Sequence, residues 1–268
     1  MLRDITLGQY LPGNTYVHRL DPRMKIILTI LYIALIFCVS APVCYILPLA
    51  YLLAAARLSG LSVKRLLKSV KPLRFLLILT FILNLFFSGG STVWVQWGIL
   101  KITEEGFLTA LHFCLRLVFL VAGTSILTLT TSPVALSDGI EMLLKPLKKV
   151  HFPVHELAMM MTIALRFIPT LIEEADKIMK AQMARGADFE SGNLLKRAKA
   201  MIPLLVPLFV SAFRRAGDLA MAMEARCYHG DEGRTRLRVL HYTRNDLWAL
   251  LVTLASLALT IVAGKWFA

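Results

Sequence analysis

Two segments of this chain end alike, Ala181-Gln182-Met183-Ala184-Arg185-Gly186 and Ala222-Met223-Glu224-Ala225-Arg226-Cys227, and they carry its most pointed chemistry. They lie 41 residues apart, and an acid precedes each Arg by about two helical turns, Asp176 and Asp218. Small alanines leave a helix tip bare. The backbone can then enter a groove on another molecule while the guanidinium projects to a carboxylate or carbonyl beyond. The same residues also suit an ordinary helix end, with a cation against the dipole and a stop after it. Spacing leaves both readings open.

Other candidates are weaker. His151, His155 and Glu156 lie close in sequence, but Pro153 breaks a helix between the histidines and the HExxH order is absent. A zinc site needs more ligands in fixed geometry, so no metal is expected. No Gly-x-x-x-x-Gly-Lys-Ser/Thr stretch is present, so the chain is not expected to bind and hydrolyse ATP itself. The basic, glycine-containing segment 230–236 lacks the strand that precedes a phosphate loop, and no Gly-x-Ser-x-Gly elbow appears. Cys38, Cys44, Cys114 and Cys227 show no CxxC spacing and indicate neither a disulfide framework nor a zinc site. His112 and Arg116 stand about one turn apart in an apolar stretch. Such an Arg is either functional or bonded to a neighbouring helix.

The elements that must position these groups are mostly membrane helices. Of 268 residues, 57% are hydrophobic, and the mean hydropathy is +0.66. That combination points to a membrane class. A net charge of +13 fits nucleic acid, anionic lipid or a positive-inside bias. Its placement decides. Arg57, Lys64, Arg65, Lys68, Lys71 and Arg74 cluster with no acid among them, which marks a cytoplasmic loop and disfavours nucleic acid. A bilayer core takes about 20 apolar residues as helix. Candidate spans are 24–40, 43–56, 73–87, 106–130 and 246–264. Residues 1–25 lack the order of a cleaved signal, so the first span should serve as an uncleaved insertion signal. The loop 88–105, with Gly89-Gly90, Trp94, Trp97 and few basic residues, suits the outside.

Residues 132–245 break this pattern. Ser132-Pro133 opens an amphipathic helix running to Lys148-Lys149, suited to a membrane interface. A long helix is expected over 154–185, apolar first and charged later, with Pro169 kinking it. A second runs from about Leu195 to Tyr228, bent by Pro203 and Pro207. Ala212, Ala216 and Ala220 recur every four residues, which lets another helix cross closely. Eleven methionines suit an adaptable surface or plain core filling. The expected fold class is therefore all-α, a polytopic membrane protein of about five transmembrane helices with a cytoplasmic-side domain of long kinked helices. Its regions are 1–131 with four spans, 132–245 as an insert with an amphipathic helix and two long helices, and 246–268 as the last span.

Over nearly its whole length the chain resembles the transmembrane T component of energy-coupling factor (ECF) transporters. The likeness is carried by Gly8-Gln9-Tyr10, by His18-Arg19-Leu20-Asp21-Pro22-Arg23-Met24-Lys25, by Arg166-Phe167-Ile168-Pro169, and above all by the two Ala-Arg ends. The resemblance implies that Ala184, Arg185 and Gly186, and likewise Ala225, Arg226 and Cys227, dock into grooves of two ABC-type ATPase subunits. ATP would bind there, and this chain would need no cofactor and catalyse nothing. It also implies a grip on a small membrane-embedded substrate-binding (S) component. Leu157, Met160, Met161, Ala164, Ala212, Ala216 and Ala220 are the candidates for that surface and for the helix crossing. The setting implied is the cell membrane, with the coupling helices on the cytoplasmic side, in vitamin or micronutrient uptake. The family pattern has Gly where this sequence has Cys227. Gly serves where φ is positive or a backbone approaches closely, so either that position needs neither or the second dock is altered.

Two competing classes make different demands. A stand-alone secondary transporter or channel needs paired ionisable residues at mid-membrane, and the first, second and last spans hold almost none. An intramembrane enzyme would have to be built on His151, His155 and Glu156.

Overall fold

The computed structural model describes residues 10–40, 42–87, 92–97, 100–187, 189, 193, 199–230 and 239–267. Gly8-Gln9, the Gly89-Gly90 pair, the helix start near Leu195 and most of the 230–236 segment lie outside them. The chain divides into two compact units, one of Gly8–Met142 with Leu240–Ala268 and one built on Leu143–Val239.

In the first unit, α1 (Tyr16–Arg19) is a single turn before α2 (Pro22–Phe37). Asp21 caps α2, and Pro22 occupies its first position, where a missing N–H costs nothing. A 3-10 turn, Pro42–Tyr45, leads into α3 (Ile46–Leu58). Then α4 (Val63–Val70) passes through a 3-10 turn at Lys71–Leu73 into α5 (Arg74–Phe87). The expectation of a loop over 57–74 is corrected here. Val63, Leu66, Leu67 and Val70 fall at helical spacing, with Leu66 and Val70 buried while Lys64, Arg65 and Lys68 stay exposed. The charges mark one face of a helix, so they do not exclude one.

Next comes an antiparallel hairpin, β1 (Val93–Trp97) against β2 (Leu100–Thr103), with Val93 opposite Thr103 and Trp97 opposite Leu100. Valine and tryptophan suit a pleated strand. The all-α class holds, with this one short hairpin added where a loop was expected. Thr103 Oγ1 then accepts from Gly106 N at 3.0 Å and, with Glu104 and Glu105 in the first turn, starts α6 (Glu104–Thr130). At 27 residues it is about 40 Å long. α7 (Pro133–Leu144) opens as expected, with Ala135 N donating to Ser132 Oγ at 3.3 Å. It stops before the Lys pair, because Pro146 cannot continue it, and a 3-10 turn, Lys145–Val150, follows. The last helix of the unit, labelled α10 in chain order after the two described next, is Arg244–Phe267.

Tyr32, Leu35 and Ile36 of α2, with Val39 just beyond its end, form the centre of the core with Tyr45, Leu52, Phe119 and Ala122. Gly123 permits the closeness of α2 and α6. A Cβ there would lie 2.0 Å from the Tyr32 ring, whose hydroxyl donates to Phe119 O at 3.0 Å.

The second unit is a pair of helices, α8 (Val154–Ala184) and α9 (Ile202–Glu224), packed on each other. Pro169 and Pro207 lie inside them. Residues 199–200 are helical and Met201 is a turn, so the described chain is interrupted just before α9, in whose first turn Pro203 sits.

By length and composition, Val63–Phe87, Glu104–Thr130, Val154–Ala184 and Arg244–Trp266 are long and apolar enough to cross a membrane. Three of them answer to expected spans, while α2 and α3 are shorter, at 16 and 13 residues. The apolar first half of α8 brings that charged helix into the same group. Outward-facing Phe75, Phe87 and Trp266 are more than 70% exposed in the isolated chain, as surfaces facing lipid or a partner would be.

Candidate functional site

The two Ala-Arg ends fold as twins. At the end of α8, Gly186 N donates to Met183 O at 2.9 Å and Ala187 N to Gln182 O at 3.0 Å. At the end of α9, Cys227 N donates to Glu224 O at 2.9 Å and Tyr228 N to Met223 O at 3.1 Å. Each is a Schellman close in the same register, and each needs a left-handed residue at one place. Gly186 has φ +88° and Cys227 has φ +55°. The position of Cys227 therefore does demand positive φ, and the second tip keeps the shape of the first. Ala184, Arg185, Gly186, Ala225, Arg226 and Cys227 are all exposed. Helix-end chemistry accounts for the backbone but leaves the two guanidinium groups without a bond among the described residues.

A side chain at positive φ costs about 1–2 kcal/mol, offset in part by the greater freedom glycine loses on folding. Cys227→Gly is therefore expected to tighten the end of α9, slowing hydrogen exchange of the Tyr228 amide about threefold. An unchanged or faster rate would show that the left-handed residue carries no strain.

Eleven residues before each terminal Arg, the helices are bridged. Glu174 of α8 accepts from Arg215 Nη2 at 2.9 Å and from the Ser211 hydroxyl, both on α9. Glu174 stands as far from Arg185 as Arg215 does from Arg226, so the arms beyond the bridge are equal, about 16 Å each. Ala212, Ala216 and Ala220 face Ile163, Phe167 and Leu171 around a 240 Å³ cavity. The alanine stripe thus lines the space between α8 and α9. Leu157, Met160, Met161 and Ala164 do not join it. They form an exposed stripe at i, i+3, i+4 and i+7.

The motif His18 to Lys25 builds a buried polar junction in the other unit. Asp21 accepts from Arg23 N at 2.9 Å and pairs with Arg23 Nη2 at 2.9 Å. Arg23 also reaches Leu240 O at 3.0 Å and lies 4.2 Å from the Tyr242 ring centre. Lys25 Nζ donates to His18 O and Thr130 O, each at 3.1 Å. Asp246 ties the third strand of this knot. Its Oδ1 accepts from Asp21 N at 2.9 Å, and its Oδ2 accepts from Thr243 N at 2.7 Å and Thr243 Oγ1 at 2.8 Å. Two acids and two bases, nearly all out of water, leave the junction electrically neutral.

Sequence reasoning missed Asp246, Glu174, Ser211 and Arg215 as partners. For Asp246 a signal existed, because Thr243-x-x-Asp246 is a capping box at the start of α10. The Glu174 bridge had none beyond the 41-residue repeat that Arg185 and Arg226 share.

Other candidates are not drawn together. His151 closes the 3-10 turn in a left-handed conformation, and His155 Nε2 lies 3.4 Å from the Tyr228 hydroxyl. Among the described residues no group of three His, Cys, Asp or Glu could hold a metal ion. Arg116 takes the helix-bonding role, with Nη2 2.7 Å from His112 Nε2 and 3.3 Å from Val39 O.

Residues 13–237 match the family described as cobalt transport protein, CbiQ. The chain is 56% identical over 252 residues to a protein of Thermosediminibacter oceani, covering 94% of this chain and 95% of that one. It is 51% identical over 268 residues to one of Clostridium kluyveri, covering 100% and 99%. It is 47% identical over 258 residues to one of Bacillus subtilis, covering 96% and 97%. Each of the three is named energy-coupling factor transporter transmembrane protein EcfT.

Proposed function

The chain belongs to the family of energy-coupling factor transporter transmembrane proteins, and on that premise we propose that it couples ATP-driven motion of two ATPases to a substrate-binding membrane component. As a member it is a membrane-embedded transmembrane component of an ECF transporter. The finer reading rests on one observation, the pair of matching exposed tips with equal arms from the Glu174–Arg215 bridge. Each Arg tip seats in a groove of its own ABC-type ATPase on the cytoplasmic face, with the guanidinium bonding an acidic or carbonyl partner. ATP is held by those subunits, and this chain contributes no catalytic group or cofactor.

When the ATPases move, the tips move with them. Because Glu174 and Arg215 are equidistant from the tips, displacement becomes rotation about that bridge, with the neighbouring alanine face letting the packed helices slide. The exposed stripe of Leu157, Met160, Met161 and Ala164 runs toward the start of α8 from the crossing residue Ile163. It passes the motion to the S component, whose methionine-facing contacts tolerate more than one shape. Substrate choice belongs to the S component, within the vitamin and micronutrient class.

The test is a mild-detergent pull-down of the tagged chain, identified by mass spectrometry. Two ABC-type ATPases and one small hydrophobic protein are expected. Recovery of the chain alone, with uptake by the chain alone into liposomes along an ion gradient, would replace this reading with a secondary transporter.

A further inference from the structure

A slot of 260 Å³ opens beside the buried junction, between α3 and α10, with α2 and α6 behind it. Its walls are almost wholly apolar, and its lips are the exposed Ala54, Leu58, Trp248 and Val252. Tyr51 lines one end, bonded to Thr253 Oγ1 at 2.9 Å and stacked 5.6 Å from Tyr32. From Tyr51 to Leu58 the slot follows about 10 Å of α3.

Its other end is polar. Lys25, 6% exposed, lines that end and spends two of its three N–H donors on His18 O and Thr130 O. The third has no partner among the described residues. Junction charges already balance, so the remaining donor suits a neutral acceptor such as an ester carbonyl, because another anion would meet Asp21 and Asp246. Outside the mouth the charge is one-sided. Arg19 follows the slot-lining turn at Tyr16 and Val17, Arg57 adjoins Leu58, and Arg244 precedes Asn245, whose carbonyl accepts from the Tyr16 hydroxyl at 2.8 Å. All three arginines are exposed. Tyr16 and Trp248 at the mouth are the residues that membrane interfaces favour.

We propose that this slot binds one acyl chain of an anionic phospholipid, from the leaflet beside the basic connection of α3 to α4. The ester carbonyl lies at Lys25 Nζ, and the phosphate faces Arg19, Arg57 and Arg244. Lipid is favoured over a protein helix because the slot is small, about 260 Å³, and carries a cationic rim over an apolar lining.

The experiment delipidates the purified full chain in detergent, adds back phosphatidylglycerol or phosphatidylcholine, and counts retained lipid by mass spectrometry. The wild type is expected to hold about one phosphatidylglycerol per chain. Ala55→Trp fills the shaft and should cut retention roughly tenfold. Replacing Arg19, Arg57 and Arg244 by Gln leaves the shaft open and should abolish the preference for the anionic lipid. Ala249→Trp from the opposite wall repeats the block should Ala55→Trp fail to fold. Equal retention of both lipids by the wild type, or undiminished retention in a folded filled variant, would overturn the assignment.

Discussion

Reversing both tip charges, Arg185→Glu with Arg226→Glu, is expected to abolish co-purification of the ATPases and uptake with it. The two guanidinium groups are exposed and make no bond within the described residues, so the fold does not need them. A docked guanidinium paired with an acid or carbonyl typically loses about 2–5 kcal/mol when its charge partner is removed. One reversal should weaken docking of its ATPase about a hundredfold. The tips end separate helices, so the losses should add and leave neither ATPase bound. Arg185→Lys retains charge but not the planar fork and should fall between. The readout is ATPase stoichiometry in the purified complex, with substrate uptake in cells. Uptake within about twofold of wild type in the double variant would end the coupling role, since that loss is far below one docking contact.

The second large effect lies at the junction, and it concerns stability. Asp246→Ala removes the acceptor for Asp21 N and for both donors of Thr243, and it leaves Lys25 facing less counter-charge. Breaking such a buried network costs about 3–5 kcal/mol. For a chain of this size that lowers the thermal midpoint by about 10 °C. Asp246→Asn should cost less, because its oxygen can still accept from Asp21 N. Adding Lys25→Met to Asp246→Asn should cost less than the two separate losses together, since an unpaired charge is removed along with its partner. Midpoints of the purified chain in detergent settle the matter. Strict additivity of the pair would show that Lys25 and Asp246 are not coupled.

The outline of the fold was legible because hydrophobic run length is a one-dimensional property. The spans at 106–130 and 246–264 correspond to α6 and α10, and the Ser132-Pro133 start is local chemistry that α7 uses as written. The errors arose where one signal was weighed alone. Six basic residues over 57–74 suggested a loop, although Leu66 and Val70 at helical spacing made α4 amphipathic. The candidate site was half legible. The six tip residues and the three crossing alanines were visible as repeats, while Leu157, Met160, Met161 and Ala164 could not be placed on a face relative to α9 from spacing alone.

What the sequence determined by itself is the membrane class, the helical elements and the repeated Ala-Arg ends. Each follows from local composition, caps or spacing along one helix. Only the tertiary structure decided that Cys227 takes the left-handed place of Gly186, because φ depends on how the chain leaves the helix. It alone paired Glu174 with Arg215 and Asp21 with Asp246, partners separated by 41 and 225 residues. Such pairings depend on which helix faces meet in space, and charge along a sequence does not say which face an acid will meet.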